Sequence, residues 1–191
     1  MSKDTDNFYK IQQDRLQYLL SRLESGEKTA SNCYDVFFQY TMLEKYTNQE
    51  IIDKYADLTM SVAREDIDRG YNPERAYYYM ANVCEYRKDY KNMLLYINKA
   101  IELDPKSASF YYTRAEYYEN INDTKNADLD YNRTLELDPS YADTIDFLKR
   151  CRSNLKDIEW FNNSKSVTFV IILSLVLTVF ELVYELIDYF L

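Results

Sequence analysis

The chain has 191 residues, with two Gly, three Pro, no His and a net charge of −9 from 23 basic and 32 acidic residues. Two glycines cannot build a phosphate-cradling loop or the many tight turns of an all-β fold, both of which need backbone at positive φ or in close approach to a ligand. Without His there is no Ser-His-Asp or Cys-His relay and no HExxH zinc site, and an acidic chain lacks the basic stripe that binding nucleic acid requires.

What remains is an all-α chain that works by surface contact: not an enzyme, with no cofactor, no metal and no nucleic-acid partner. Cys33, Cys84 and Cys151 are far apart and form no CxxC, which reads as structural thiols in a reducing compartment. Twenty-one Tyr point to core and interface packing, because a ring buries much area for few lost torsions. The opening MSKDTDNFYK shows no apolar run after a basic stretch, so no secretory signal is visible.

Residues 1–72 predict three helices, at 5–24, 30–46 and 48–69. Leu16, Leu19, Leu20 and Leu23 give the first an apolar stripe at helical spacing. Gly26 and Gly70 fall in the breaks, where helix-ending glycines belong. Phe37, Phe38, Leu43, Ile51, Ile52, Tyr55, Met60 and Ala63 supply the apolar residues of a degenerate helical hairpin.

From residue 73 to 141 the chain repeats itself. Residues 74–107 (ERAYYYMANVCEYRKDYKNMLLYINKAIELDPKS) align without gaps on 108–141 (ASFYYTRAEYYENINDTKNADLDYNRTLELDPSY), with 13 of 34 positions identical. Identity at that level over a fixed period marks two copies of one supersecondary unit. Each copy reads as two amphipathic helices broken at Lys88-Asp89 or Asn122-Asp123, with Pro105 or Pro139 where the second must stop. Neither hairpin can bury its apolar face alone, so stacked neighbours are required.

The period and pattern resemble the tetratricopeptide repeat (TPR) family. Its first large aromatic position falls on Tyr77 and Tyr111, and the Leu position after it on Met80 and Arg114. The first small position falls on Ala81 and Ala115, and the second on Met93 and Ala127. Ile97 and Tyr131 take the large apolar position of the second helix, Ala100 and Thr134 the third small one. Met93, Arg114 and Thr134 depart from the pattern, so less regular packing is expected there.

The resemblance implies a TPR-like helical-hairpin solenoid whose first helices line a groove. The groove positions would be Arg75, Tyr78, Asn82 and Glu85 in one repeat, then Ser109, Tyr112, Glu116 and Glu119 in the next. An acidic, tyrosine-rich groove suits a protein or peptide partner carrying basic and apolar side chains. A clamp for the acidic tail of a chaperone does not fit, because Tyr78 stands where Lys is expected and Glu116 and Glu119 would repel a carboxylate.

After the repeats, 142–158 restarts the helical pattern as a capping helix, with Ile145, Leu148 and Cys151 on one face. Residues 159–165 form an interfacial linker carrying Trp160 and Phe161. Residues 166–191 then read as a single hydrophobic C-terminal helix. Ser166–Phe180 has no charge, and extension to Tyr184 makes roughly 28 Å of helix against a bilayer core of about 30 Å. Basic residues precede this segment and none follows Lys165, so the expected state is a single-pass tail anchor with its N-terminal domain in the cytoplasm.

Ser174, Thr178, Glu181, Glu185 and Asp188, spaced 4, 3, 4 and 3, share one side of that helix. The stripe could meet a partner helix, line a homo-oligomer or mark an amphipathic helix that never inserts; more plainly, the acids mark the exit from the membrane. Three functions are therefore open. The first is a membrane-tethered scaffold or adaptor, bound to lipid through the C-terminal helix. The second is a soluble TPR co-factor whose tail self-associates or folds onto the domain. The third is a membrane-permeabilising effector.

Overall fold

The computed structural model describes residues 3–43 and 47–163. The expected span 166–191, with the stripe Ser174, Thr178, Glu181, Glu185 and Asp188, lies outside the described residues. Among the described residues there is no strand, and no helix is long and apolar enough to cross a membrane. Residues 1–139 form one compact unit and a second begins at Ser140.

Among its described residues the first unit holds seven α-helices in order: α1 Lys3–Glu24, α2 Ala30–Met42, α3 Gln49–Asp68, α4 Pro73–Tyr86, α5 Tyr90–Leu103, α6 Ala108–Asn120 and α7 Thr124–Leu137. The described part of the second unit is Ser140, Tyr141 and α8, Ala142–Asn163, so the helix expected to end at 158 continues to 163 through residues expected as a linker. Chain neighbours pack as hairpins α2–α3, α4–α5 and α6–α7, with α1 against α2. The two predicted repeats are thus the second and third hairpins, and the degenerate N-terminal pair is the first.

The turns explain how the fold manages with two glycines. At the end of α3, Gly70 at φ 69° lets the Tyr71 amide reach back to the Asp66 carbonyl at 2.8 Å. At the ends of α4 and α6 the same left-handed position is held by Lys88 (φ 57°) and Asn122 (φ 60°), and the amides of Asp89 and Asp123 donate to Cys84 and Tyr118, each at 2.8 Å. Asp89 and Asp123 then cap α5 and α7 by accepting from the amides of Asn92 and Asn126, each at 3.2 Å. Asn tolerates this conformation better than Lys, so the two copies make one turn at unequal strain.

The main core runs continuously from α2 to α6. Helix backbones approach at Ala56, Ala63, Ala81, Ala100, Ala115 and Ala127, all fully buried, while Met93 and Ile97 fill the space between. Burial of a side chain like Ile97 stabilises by roughly 1.5–3 kcal/mol. Phe37, Ile52, Met60 and Ala63 of the degenerate hairpin join this core. Phe38 and Ile51 do not, being 47% and 38% exposed. A smaller core joins Leu16 and Leu19 of α1 to Val36 and Leu43, with Leu20 and Leu23 at its edge. Cys33 and Cys84 are buried free thiols pushed up to about 11 by desolvation, so they are protonated at neutral pH and act as small apolar side chains. Sequence identity between the copies does not report burial: Leu95 and Leu129 are equivalent, yet 48% and 59% exposed.

The three departures from the repeat pattern are well packed. Met93 is fully buried where the second copy has Ala127. Thr134 is fully buried where the first has Ala100, its hydroxyl donating to the Asp130 carbonyl at 2.9 Å. Arg114 replaces an apolar residue by reaching α7, where Nε and Nη2 donate to Asp130 at 2.7 and 2.8 Å, and Nη1 donates to Asn98 at 2.9 Å. The Asp130 side chain is only 8% exposed, so this bidentate pair is the condition on which a carboxylate can sit between the two helices. Less regular packing was expected here; a specific ion pair is found.

Two expectations follow for stability. Arg114→Met should cost about 3–5 kcal/mol by leaving Asp130 buried and unpaired, whereas Arg114→Met with Asp130→Leu should recover most of that loss, as chemical denaturation of the four members of the cycle would show. Lys88→Gly should stabilise by about 0.5–1 kcal/mol by relieving left-handed backbone, and Asn122→Gly by less.

Candidate functional site

The first helices of the three hairpins lie side by side, α4 between α2 and α6. The residues on this shared face come from helix positions fixed by burial of the opposite side. On α4, Ala76, Met80, Ala81, Val83 and Cys84 are buried, leaving Tyr78, Asn82 and Glu85 half-covered. On α6, burial of Phe110, Thr113 and Ala115 leaves Ser109, Tyr112, Glu116 and Glu119 in the same state.

The predicted groove residues divide into a cluster and its surroundings. Tyr78 packs its ring on Phe110 at 5.2 Å and lies 6.4 Å from Tyr34 of α2. Tyr112 lies 5.9 Å from Tyr131 and its hydroxyl donates to the Glu116 carboxylate. Glu85 accepts from Asn120 Nδ2 at 3.2 Å, a contact that joins α4 to α6. Asn82 uses its side-chain amide locally, donating to the Tyr78 carbonyl at 2.8 Å. Ser109 pairs with the Ser107 hydroxyl at 3.0 Å. Arg75 is exposed and stands apart, lining a cleft of about 50 Å³ with Thr29, Asp66 and Tyr71.

The electrostatics single out the middle of the face. Burial raises the Glu116 carboxyl, and repulsion from Glu85 adds to it, against the opposing Tyr112 hydrogen bond; the result is about 8. Glu85 is also raised, by burial, with the Asn120 hydrogen bond opposing. Tyr34 is raised by burial first, then by its proximity to Tyr78, Glu85, Glu116 and Tyr79. Two carboxylates from successive repeats therefore share a half-buried region walled by rings, and at neutral pH Glu116 keeps its proton.

Tyr34, Phe110 and Asn120 belong to this site and were not among the residues expected from sequence. Tyr34 stands 44 residues before Tyr78, whereas Tyr78 and Tyr112 are 34 apart. Most of the difference arises because α3 has 20 residues where α5 has 14 and because the connection before α3 is longer, which puts the first hairpin out of register with the repeat. Phe110 aligns with Ala76, and Asn120 with Tyr86, so neither copy signalled the other. Among the described residues no group of His, Cys, Asp and Glu is placed to hold a metal ion.

Comparison with protein-family profiles agrees with the hairpin architecture. Two tetratricopeptide repeat family profiles match, one over residues 74–107 and the other over 96–128. No relative was found among curated protein sequences. Among solved structures, similarity is found to a crystal structure of MamA (13% identity, 74% of this chain and 77% of that one, TM-score 0.46). Similarity extends to a MamA RS-1 double mutant (16%, 73% and 97%, TM-score 0.39). It also extends to MamA 41-end from Desulfovibrio magneticus RS-1 (16%, 73% and 98%, TM-score 0.39). At such scores the likeness bears on neither fold, ligand nor activity.

The Glu116 proton sets a pH dependence. Its carboxyl is about 8 in the folded chain against 4.5 ordinarily, so between these values the native state holds a proton that the unfolded chain has lost. Stability from this group is therefore lost as pH rises from 4.5 to 8 and stays lost above. Glu116→Gln should raise Tm at pH 8.5 by roughly 2–4 °C and by less at pH 5.5, measured by thermal denaturation at both.

Proposed function

We propose that this chain is a membrane-tethered protein-interaction scaffold whose TPR groove holds a segment of a partner protein. The observation that carries the reading is the convergence of Tyr34, Tyr78, Tyr112, Glu85 and Glu116 on one face of three neighbouring helices. Rings with few torsions bind at low entropic cost, and a carboxylate pair favours partners with basic side chains. An extended or helical partner segment with apolar and basic side chains suits this face. Scaffolding also agrees with a composition that lacks the residues of common catalytic relays.

Tethering is supported by the amino-acid sequence of 166–191, where the uncharged run Ser166–Phe180 follows Trp160, Phe161 and Lys165. The repeat domain lies on the cytoplasmic side in this reading, because the basic residues all precede the run.

Two measurements test the two halves. Partner capture by the full chain should fall about tenfold or more when Tyr78 and Tyr112 are both changed to Ala, and undiminished capture would remove the groove as the binding site. The full chain should remain with membranes through alkaline carbonate extraction. Release into the supernatant would replace the anchor with the alternative reading, a soluble co-factor whose tail self-associates or folds onto the domain.

A further inference from the structure

The acids drawn in between the hairpin helices of the two repeats are treated in two ways. Asp130, between α6 and α7, is met by a bidentate guanidinium from Arg114 at 2.7 and 2.8 Å. Glu85 and Glu116, between α4 and α6, are met by an amide and a phenol, and they repel each other. Among the described residues, the groups that act on this pair or on the Tyr34 wall are Tyr34 from α2, Tyr78, Tyr79 and Glu85 from α4, and Tyr112, Glu116 and Asn120 from α6. Helices α5 and α7, packed against α4 and α6, contribute none. None of these groups is a cation. One buried carboxylate is thus given an arginine, while the described partners of the groove pair are hydrogen-bond donors without charge.

We propose that Glu85 and Glu116, walled by Tyr34, Tyr78 and Tyr112, form the seat for a single Lys or Arg side chain of the segment bound in the groove. This rests on the groove reading above and narrows it to one recognition element. A cation there supplies a counter-charge that none of the described groups around the pair provides, and its several N–H donors can satisfy carboxylate oxygens from both repeats at once. Ring faces around the seat attract the same charge, more strongly where water is partly excluded. Because one carboxylate comes from each repeat, the seat reads the spacing of two neighbouring hairpins and fixes the register of the bound segment.

Seating the cation also moves a proton. In the empty groove at neutral pH Glu116 is protonated; with an ammonium or guanidinium beside it the carboxylate form is favoured, and the proton leaves to solvent. Affinity should therefore rise with pH by up to about tenfold per unit below 8 and flatten above it.

The experiment uses a random 12-residue peptide library displayed on phage, selected at pH 8.5 on the full chain held in mild detergent. Clones are kept whose binding is lost with Tyr78→Ala and Tyr112→Ala. The expected result is that these clones share a Lys or Arg at one position. Changing it to Gln should weaken binding roughly 10–100-fold. Glu116→Gln in the protein should weaken binding similarly, while Glu102→Gln, which removes the same charge from an exposed position of α5, should not. Calorimetry in two buffers of different ionisation enthalpy at pH 7 should report close to one proton released per peptide bound.

Groove-dependent peptides with no fixed basic position, or indifferent to Glu116→Gln, or bound without proton release, would overturn the seat while leaving the groove in place. Equal losses with Glu102→Gln and Glu116→Gln would overturn it in favour of bulk charge attraction. A library that yields no clone dependent on Tyr78 and Tyr112 would take down the groove reading itself, and the seat with it.

Discussion

The structure depends on the fact that none of its helix pairs can bury its own apolar face. Stability comes from stacking, and stacking requires helix axes to approach at small side chains. Ala81, Ala100, Ala115 and Ala127 provide that approach in the two repeats, and Ala56 and Ala63 provide it in the hairpin before them. Every larger residue in the core, from Ile52 to Tyr131, fills space whose width these alanines set. A continuous core from α2 to α6 follows, along with the side-by-side arrangement of α2, α4 and α6.

That arrangement creates the candidate site as a by-product of packing. Once one side of α4 is committed to Met80, Val83 and Cys84, helical geometry obliges Tyr78, Asn82 and Glu85 to share the remaining face. The same holds for Tyr112 and Glu116 on α6. Half-burial then alters their chemistry: a carboxylate harmless on an open helix becomes reluctant to ionise when a second one faces it across a ring-lined gap. The chain tolerates this because Glu116 avoids the penalty by keeping its proton, whereas Asp130 is met by the Arg114 guanidinium.

Much of the architecture was legible in the amino-acid sequence. The 34-residue period, the Asp-Pro ends and the alanine positions marked the helical hairpins of this region, and Leu16, Leu19, Leu20 and Leu23 marked the apolar stripe of α1. The site was legible in part. Tyr78, Glu85, Tyr112 and Glu116 could be placed on one face by counting helical turns from the repeat alignment. Tyr34 could not, because α3 is six residues longer than α5 and no fixed offset links the first hairpin to the others. Arg114 was readable only as a departure from an apolar position; its partner Asp130 lies 16 residues away on another helix, beyond the reach of local spacing.

By itself, then, the sequence determined the fold class, the hairpin repeat and the lack of any histidine-based relay, since these follow from residue types and short-range periodicity. Two glycines suffice because Lys88 and Asn122 adopt the left-handed turn that glycine serves at Gly70. What only the tertiary structure decided is which charges meet. Arg114 reaches Asp130 and neutralises it, while Glu85 and Glu116 meet each other across two repeats. Charge energies depend on separation and on exclusion of water, and both are set by helix packing rather than by position along the chain.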